Sequence, residues 1–338
     1  MKEFTITQND SGQRLDRFVA KAVPLLPTSL TQKYIRMKRI KVCGKGAKPD
    51  YKLQIGDTVQ MYVGDEFFAA TGVKNSFLKV TDHNLDIIYE DDNIILLNKP
   101  AGVLCYSTYG FDYSSLIARV QAYLSRKNEW LPAGENTFAP ALCNRIDRNT
   151  SGIVIAAKNA ESLRIINDKI KLREIDKYYL AVVHGVPNPS SGTLKGYISK
   201  DEARNLVCVS KTDHPGAKVA ETEYRTVLAQ DTTEANERLS AREESGLASS
   251  RLSLLECRLI TGRTHQIRAQ LADIGHPILG DRKYGSKHLN EPYNEPHQAL
   301  CSYKMVFVFK TDAGPLSYLN GKSFELCDVP FVKKHFHH

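Results

Sequence analysis

The chain has 338 residues, 42% of them hydrophobic, with a formal net charge of +8 and a pI near 9.0. That length and apolar content suffice for a sizeable core and for two or three domains, and the positive balance points to an anionic partner. With no run of about 18 or more apolar residues and no charged-then-apolar leader, neither a membrane span nor a secretory signal is expected, and the cytoplasm is the default compartment. Seven scattered cysteines without a C-x-x-C pair speak against a disulfide framework and a zinc site. The ten histidines offer no H-E-x-x-H, so no metal is expected, and no cofactor is assigned from these counts.

The positive charge is concentrated near the start. From Gly12 to Glu66 there are eleven Lys and Arg against five Asp and Glu. In "GQRLDRFVAKAV" the apolar positions Leu15, Phe18, Val19, Ala22 and Val23 follow helical spacing and predict a helix that stops before Pro24. A second helix is predicted in "TSLTQKYIRMKRIKV", capped by Thr28 or Ser29, with Leu30, Tyr34 and Ile35 inward. Its other positions, Lys33, Arg36, Lys38, Arg39 and Lys41, form a basic face. Most lysine-rich helices are merely solvated, but a single-sign face on a compact unit suits phosphates. Short runs separated by Gly44, Gly46, Pro49 and Gly56-Asp57 then predict small antiparallel strands. This layout, with "IRMKRIKVCG" at its core, resembles the alpha-L RNA-binding domain. The resemblance implies RNA binding over 12–66 and no chemistry.

A weakly patterned linker spans 67–83, and a larger unit is expected over 84–328. It begins with an apolar strand at Ile94–Leu97 that ends in "NKPAG", followed by a helix near Ser114–Arg126. Next comes "NRIDRNTSGIVIAA", a loop of turn formers feeding a buried strand, in which Asp147 stands between Arg145 and Arg148. Flanked by two guanidinium groups, this acid is expected to be ionised and not a general acid. It could hold an arginine in place, bind a metal, or act as a nucleophile or base. No second carboxylate lies in the motif for a two-acid hydrolysis.

A helix through "AESLRIINDKIKLREI", with Leu163, Ile166, Ile170 and Arg173 on one side, and the strand "KYYLAVVHG" follow. The polar stretch 230–250 reads as an inserted mobile loop. In "TGRTHQIRAQLADIGHPILGD" a helix is predicted with Ile267, Leu271 and Ile274 inward and Gly275 as its C′ residue. Arg263 and Arg268 gather at its start, where arginines suit phosphate. Residues 329–338 read as a flexible tail.

Together "LNKPAG", "NRIDRNTSG", "KYYLAVVHG" and "TGRTHQIRAQLADIGHPILGD" resemble, in order, the RluA-type family of pseudouridine synthases. The resemblance implies an α+β fold with a mixed, mainly antiparallel sheet, flanking helices and an RNA cleft. It implies Asp147 as the essential carboxylate, Arg145 as the arginine that helps displace the target base, Tyr179 as the tyrosine packing on that base, and Arg268 as the partner of the aspartate. Arg148 and Arg263 are expected to contact RNA beside them. The chain departs from the family pattern at Asn144, where His is usual, which affects local hydrogen bonding. A monomer acting on RNA is expected, with large-subunit ribosomal RNA ahead of transfer RNA by family habit. The rivals are a non-catalytic RNA-binding or ribosome-assembly factor and a nucleoside hydrolase, which would need a second acid or a metal.

Overall fold

The computed structural model describes residues 1–68, 80, 84–107, 114–202, 206–231 and 251–336. Most of the proposed linker, and nearly all of the proposed insertion at 230–250, lie outside them. Two sheets organise the rest.

The smaller sheet joins β1 (Lys2–Thr5), β2 (Ile40–Val42), β3 (Lys45–Gly46) and β4 (Thr58–Met61) in the order β1-β4-β2-β3. Helices α1 (Leu15–Ala22) and α2 (Thr28–Arg36) bury Leu15, Phe18, Val19 and Ile35 against it. The basic helix is shorter than its charge pattern. Its start has no side-chain cap, since Pro27 and not Thr28 or Ser29 occupies the N-cap position. Its end is a Schellman turn in which Lys38 N–H reaches Ile35 O and Arg39 N–H reaches Tyr34 O, with Lys38 at φ 57°. Lys33 and Arg36 therefore lie on the helix, while Lys38 and Arg39 lie in the turn; all four are exposed.

The larger sheet contains β5 (Ile87–Glu90), β6 (Ile94–Lys99), β7 (Ala141–Leu142), β8 (Ser151–Ala157), β9 (Ile175–His184), β10 (Ser191–Asp201), β11 (Leu206–Ser210), β12 (Lys218–Asp231), β13 (Arg251–Leu259), β14 (Leu300–Phe307) and β15 (Ser323–Glu325). Its main path runs β11-β10-β12-β13-β9-β14-β8-β6-β5, with β7 on β8 and β15 on β14. Every pairing described is antiparallel except β14 with β8. The fold is thus the expected α+β arrangement with a mixed, mainly antiparallel sheet.

The runs "IILL" and "IVIAA" are apolar at consecutive positions because β6 and β8 are covered on both faces. Ile95, Leu97, Val154 and Ala156 face α3 (Leu116–Arg126) and α5 (Gln266–Asp273), whose Val120, Leu124, Ile267 and Leu271 complete one core. Ile94, Leu96, Ile153 and Ile155 face the other way, toward Ile166 of α4 (Ala160–Lys171) and Leu316 and Leu319. No helix of the described residues is long and apolar enough to cross a membrane.

Two local expectations are corrected. The flexible tail expected over 329–338 is ordered as far as Phe336: Val329 is buried and α6 (Pro330–Phe336) packs Phe331, Val332 and Phe336 on the sheet, while His335 Nε2 lies 2.8 Å from Glu295 Oε1. Arg173 leaves the face of α4, since that helix ends at Lys171 and Arg173 sits in the left-handed turn at φ 60°.

The small unit contacts the large one through the chain between β1 and α1. Asp10, fully buried, accepts from Asn136 Nδ2 (2.7 Å) and Thr137 Oγ1 (2.7 Å), and Asn9 Oδ1 accepts from Ala160 N–H at the start of α4.

Where β8 pairs with β14 there is no room for a side chain at Gly152. A Cβ on Gly152, at φ +112°, would meet Ser302 O at 2.3 Å, whereas one on Gly216, at φ +84°, would meet nothing within 4 Å. Both Gly→Ala changes strain the backbone, but only Gly152→Ala also overpacks, so it is expected to cost about 2 kcal/mol more than Gly216→Ala in urea unfolding. Equal midpoints for the two variants would contradict this reading of the pairing.

Candidate active site

The loop before β8 is fastened to its surroundings at several residues. Cys143 N–H donates to Ile155 O (2.7 Å), and Asn144 Oδ1 accepts the Ile155 N–H (2.8 Å), so this departure from the family pattern still bonds the loop to the strand it feeds. Ile146 is buried, and its carbonyl accepts from Cys105 Sγ at 3.4 Å. Arg148 O accepts from Gly102 N–H (2.9 Å) and Lys99 Nζ (3.0 Å), and Arg148 Nε donates to Gly102 O at 3.0 Å. Gln298 Nε2 donates to Thr150 Oγ1. The Asp147 carbonyl accepts the Thr150 N–H at 3.1 Å, which holds the backbone from which its side chain projects.

Lys99 explains the "NKPAG" motif. Its fully buried ammonium donates to the carbonyls of Pro100, Val103 and Arg148, binding the end of β6 to the Asp147 loop. Burial pushes the Lys99 ammonium down to about 8.

Asp147 opens into a cavity of about 400 Å³ lined also by Arg145, Arg148, Tyr179, Arg263, His265 and Arg268. The structure therefore brings together the aspartate, the tyrosine and all four arginines that the sequence singled out in the large unit. Arg145 is exposed at the rim. Arg148 and Arg263 are also exposed, but each spends a guanidinium N–H on the backbone, Arg148 on Gly102 O and Arg263 on Val219 O (3.0 Å). Tyr179 is 6% exposed in the centre of β9, and its hydroxyl is raised above the ordinary tyrosine range, first by burial. Lys33, Arg36, Lys38 and Arg39 do not line the cavity.

Helix α5 is not a basic surface helix. All its residues from Gln266 to Leu271 are buried, whereas Ile274, expected inward, is 37% exposed because it is the C-cap of a Schellman turn. In that turn Gly275 N–H reaches Ala272 O and His276 N–H reaches Leu271 O, with Gly275 as C′ residue. Gln266 holds the other end, donating to Glu221 O and Thr222 Oγ1 and accepting from Thr261 Oγ1 and Arg263 N–H. Much of "TGRTHQIR" is thus a hydrogen-bonded knot against β12.

Arg268 emerges from that knot between two carboxylates. Nη1 donates to Asp147 Oδ2 at 2.8 Å, while Nε and Nη2 grip Asp281 Oδ2 and Oδ1 at 2.7 and 3.0 Å. Asp281, fully buried, also accepts from the amides of Lys283 and Tyr284. Neither Asp281 nor His265, whose Nε2 lies 3.8 Å from Asp147 Oδ2, was singled out from the sequence. The one available signal was the Asp that ends "GHPILGD". Asp281 stands behind Arg268 and does not line the cavity, so it gives no second acid for a hydrolase.

Burial by itself would raise the Asp281 carboxyl, but the Arg268 guanidinium and the two amides outweigh it and hold the group below the ordinary carboxylate range. A depressed carboxyl stabilises the fold above its unfolded value, and that contribution is lost as the pH falls through the folded value. Asp281→Asn, which leaves half of a buried pair, is expected to cost roughly 3–5 kcal/mol near pH 7. The gap in urea midpoint between the two proteins should narrow as the pH falls below about 4, where the unfolded carboxyl takes up its proton, and go on narrowing through the lower folded value. A gap independent of pH would contradict it.

The chain is similar to several known proteins. The sequence model of the RNA pseudouridylate synthase family covers residues 93–273. An uncharacterised RNA pseudouridine synthase of Mycoplasma capricolum subsp. capricolum is 31% identical over 95% of this chain and 96% of its own. The ribosomal large subunit pseudouridine synthase C of Haemophilus influenzae is 29% identical over 87% of this chain and 82% of its own. Among solved structures, human RNA pseudouridylate synthase domain containing 4 shares the fold, with a TM-score of 0.52 at 20% identity over 78% of this chain and 94% of that one. The chain is an RluA-type member of the RNA pseudouridylate synthase family, an isomerase that converts uridine in RNA to pseudouridine.

Proposed function

We propose that the chain isomerises particular uridines of large-subunit ribosomal RNA, with Asp147 as its catalytic carboxylate. The observation that carries this reading is a single acid presented to a cavity rimmed by arginines, gripped from behind by Arg268 through one oxygen. The reaction breaks the bond from the sugar carbon C1′ to uracil N1, turns the base and joins C1′ to C5; the C5 proton is lost and N1 gains one, so no atoms are added overall. A lone carboxylate suffices, either attacking C1′ or removing the 2′ proton to give a glycal.

The roles of the neighbours follow from their chemistry. The target nucleotide must leave its stack, which costs a few kcal/mol. Arg145, exposed at the rim, suits the space the base vacates, and the Tyr179 ring is a platform for the base once it enters. Arg148 and Arg263 present charge to phosphates. We place RNA binding without chemistry in residues 12–66, where Lys33, Arg36, Lys38 and Arg39 form an exposed cationic strip. The ribosomal target is favoured by the relatives named as large-subunit enzymes, and a cytoplasmic monomer is the simplest form of such an enzyme.

An amide cannot serve as nucleophile or base. Asp147→Asn is therefore expected to abolish carbodiimide-dependent reverse-transcription stops on large-subunit ribosomal RNA while leaving RNA affinity within about threefold. Turnover above a tenth of wild type would overturn the role of Asp147. Stops formed on transfer RNA alone would overturn the choice of RNA.

A further inference from the structure

His265 is held in an uncommon way. It precedes α5 in the left-handed conformation, φ 52° and ψ 20°, which few side chains adopt without a reason. Its ring stands edge-on to Tyr284, centroids 5.6 Å apart at 79°, and its Nδ1 lies 2.9 Å from the Tyr284 hydroxyl. That hydroxyl already accepts the Val207 N–H of β11 at 3.0 Å. A phenol has one hydrogen to give, and among the described residues the acceptor within reach is His265 Nδ1. Tyr284 O–H therefore donates to Nδ1, and the neutral imidazole carries its hydrogen on Nε2. Burial, opposed by Asp147 and assisted by Arg268, pushes this imidazole below its ordinary range and favours that neutral form.

The tautomer gives the ring a direction. Nε2 faces Asp147 Oδ2, the oxygen that Arg268 binds, at 3.8 Å. Among the described residues nothing binds Oδ1. The turn that supplies Tyr284 to His265 also supplies Asp281 to Arg268, and the Arg268 guanidinium lies 5.1 Å over the Tyr284 ring. Two donors that converge on Asp147 are thus each set by one short segment, Asp281 to Tyr284.

We infer that His265 is a positioning residue for the isomerisation, its Nε2–H fixed by Tyr284 and directed at Asp147 Oδ2, so that Oδ1 is the oxygen presented to the sugar. This rests on the reading of Asp147 as the catalytic carboxylate. At 3.8 Å the contact is longer than a hydrogen bond in the free protein and closes to one when RNA fills the cavity. Donors on both sides of Oδ2 stop the carboxylate from turning, and a misplacement of about 1 Å at a reacting atom is enough to slow a reaction about 100-fold.

Two substitutions separate this role from a structural one. The amide nitrogen of Gln reaches the position of Nε2, whereas that of Asn reaches only Nδ1. Asn is at home in the left-handed conformation and Gln is not, so a merely structural role would favour His265→Asn. The inference predicts the opposite ranking. The saturated single-turnover rate should fall about tenfold or more in His265→Asn and stay within about threefold in His265→Gln, with half-saturating RNA little changed in either. Tyr284→Phe should slow wild type several-fold but add nothing to His265→Asn, as residues acting in one chain are not additive. Asp147→Asn is run alongside. If it is inactive and His265→Asn turns over as fast as His265→Gln, the inference fails alone; if Asp147→Asn is active, the reading beneath it fails.

Discussion

The site depends on one guanidinium that serves two carboxylates at once. Arg268 is 7% exposed and cannot be left unpaired without a desolvation cost of several kcal/mol. Asp281 satisfies two of its N–H groups and fixes the plane of the fork, so the remaining Nη1 has a single direction, toward Asp147. Three separate parts of the chain meet there: the loop before β8, the first turn of α5, and the segment after it. The parallel pairing of β8 with β14, with glycine at its tightest point, fixes where the first of these ends.

Around that contact, several residues with charged or polar heads hold backbone, including some that also line the cavity. Lys99, Asn144, Arg148 and Gln266 all spend hydrogen bonds on carbonyls or amides of the neighbouring loops. This division is physically sensible. A carboxylate can be presented accurately only from a backbone whose own polar groups have little freedom, and each buried donor must find an acceptor in any case.

Legibility in the sequence followed the range of the cause. The strands of "IILL" and "IVIAA" and the helices around Leu15–Val19 and Leu163–Ile166 were readable because burial imposes a local period. The Asp147 loop and the turn at Gly275 were readable because their turn formers are adjacent in the chain. Asp281 and His265 were not, since a buried acid has no period and a tautomer is set by Tyr284 and Val207, 19 and 77 positions away in the respective bonds. For Arg268 the local pattern, two arginines at one helix start, suggested phosphate; its pairing with Asp147 came from the family resemblance alone, since only the tertiary fold turns it inward. The C-terminal helix was misread because its histidines mask the apolar Val329, Phe331, Val332 and Phe336 that dock it.

The fork of Arg268 can be removed while its charge is kept. Lysine carries one compact ammonium that cannot grip Asp281 with two parallel N–H groups and also reach Asp147 in a fixed direction. Measured at saturating RNA on protein shown to be folded by a cooperative melt, the single-turnover rate of Arg268→Lys is expected to fall by about 100-fold or more, with RNA affinity nearly unchanged. A rate close to wild type would mean that positive charge alone suffices beside Asp147, and the account of a carboxylate aimed through a shared guanidinium would be wrong.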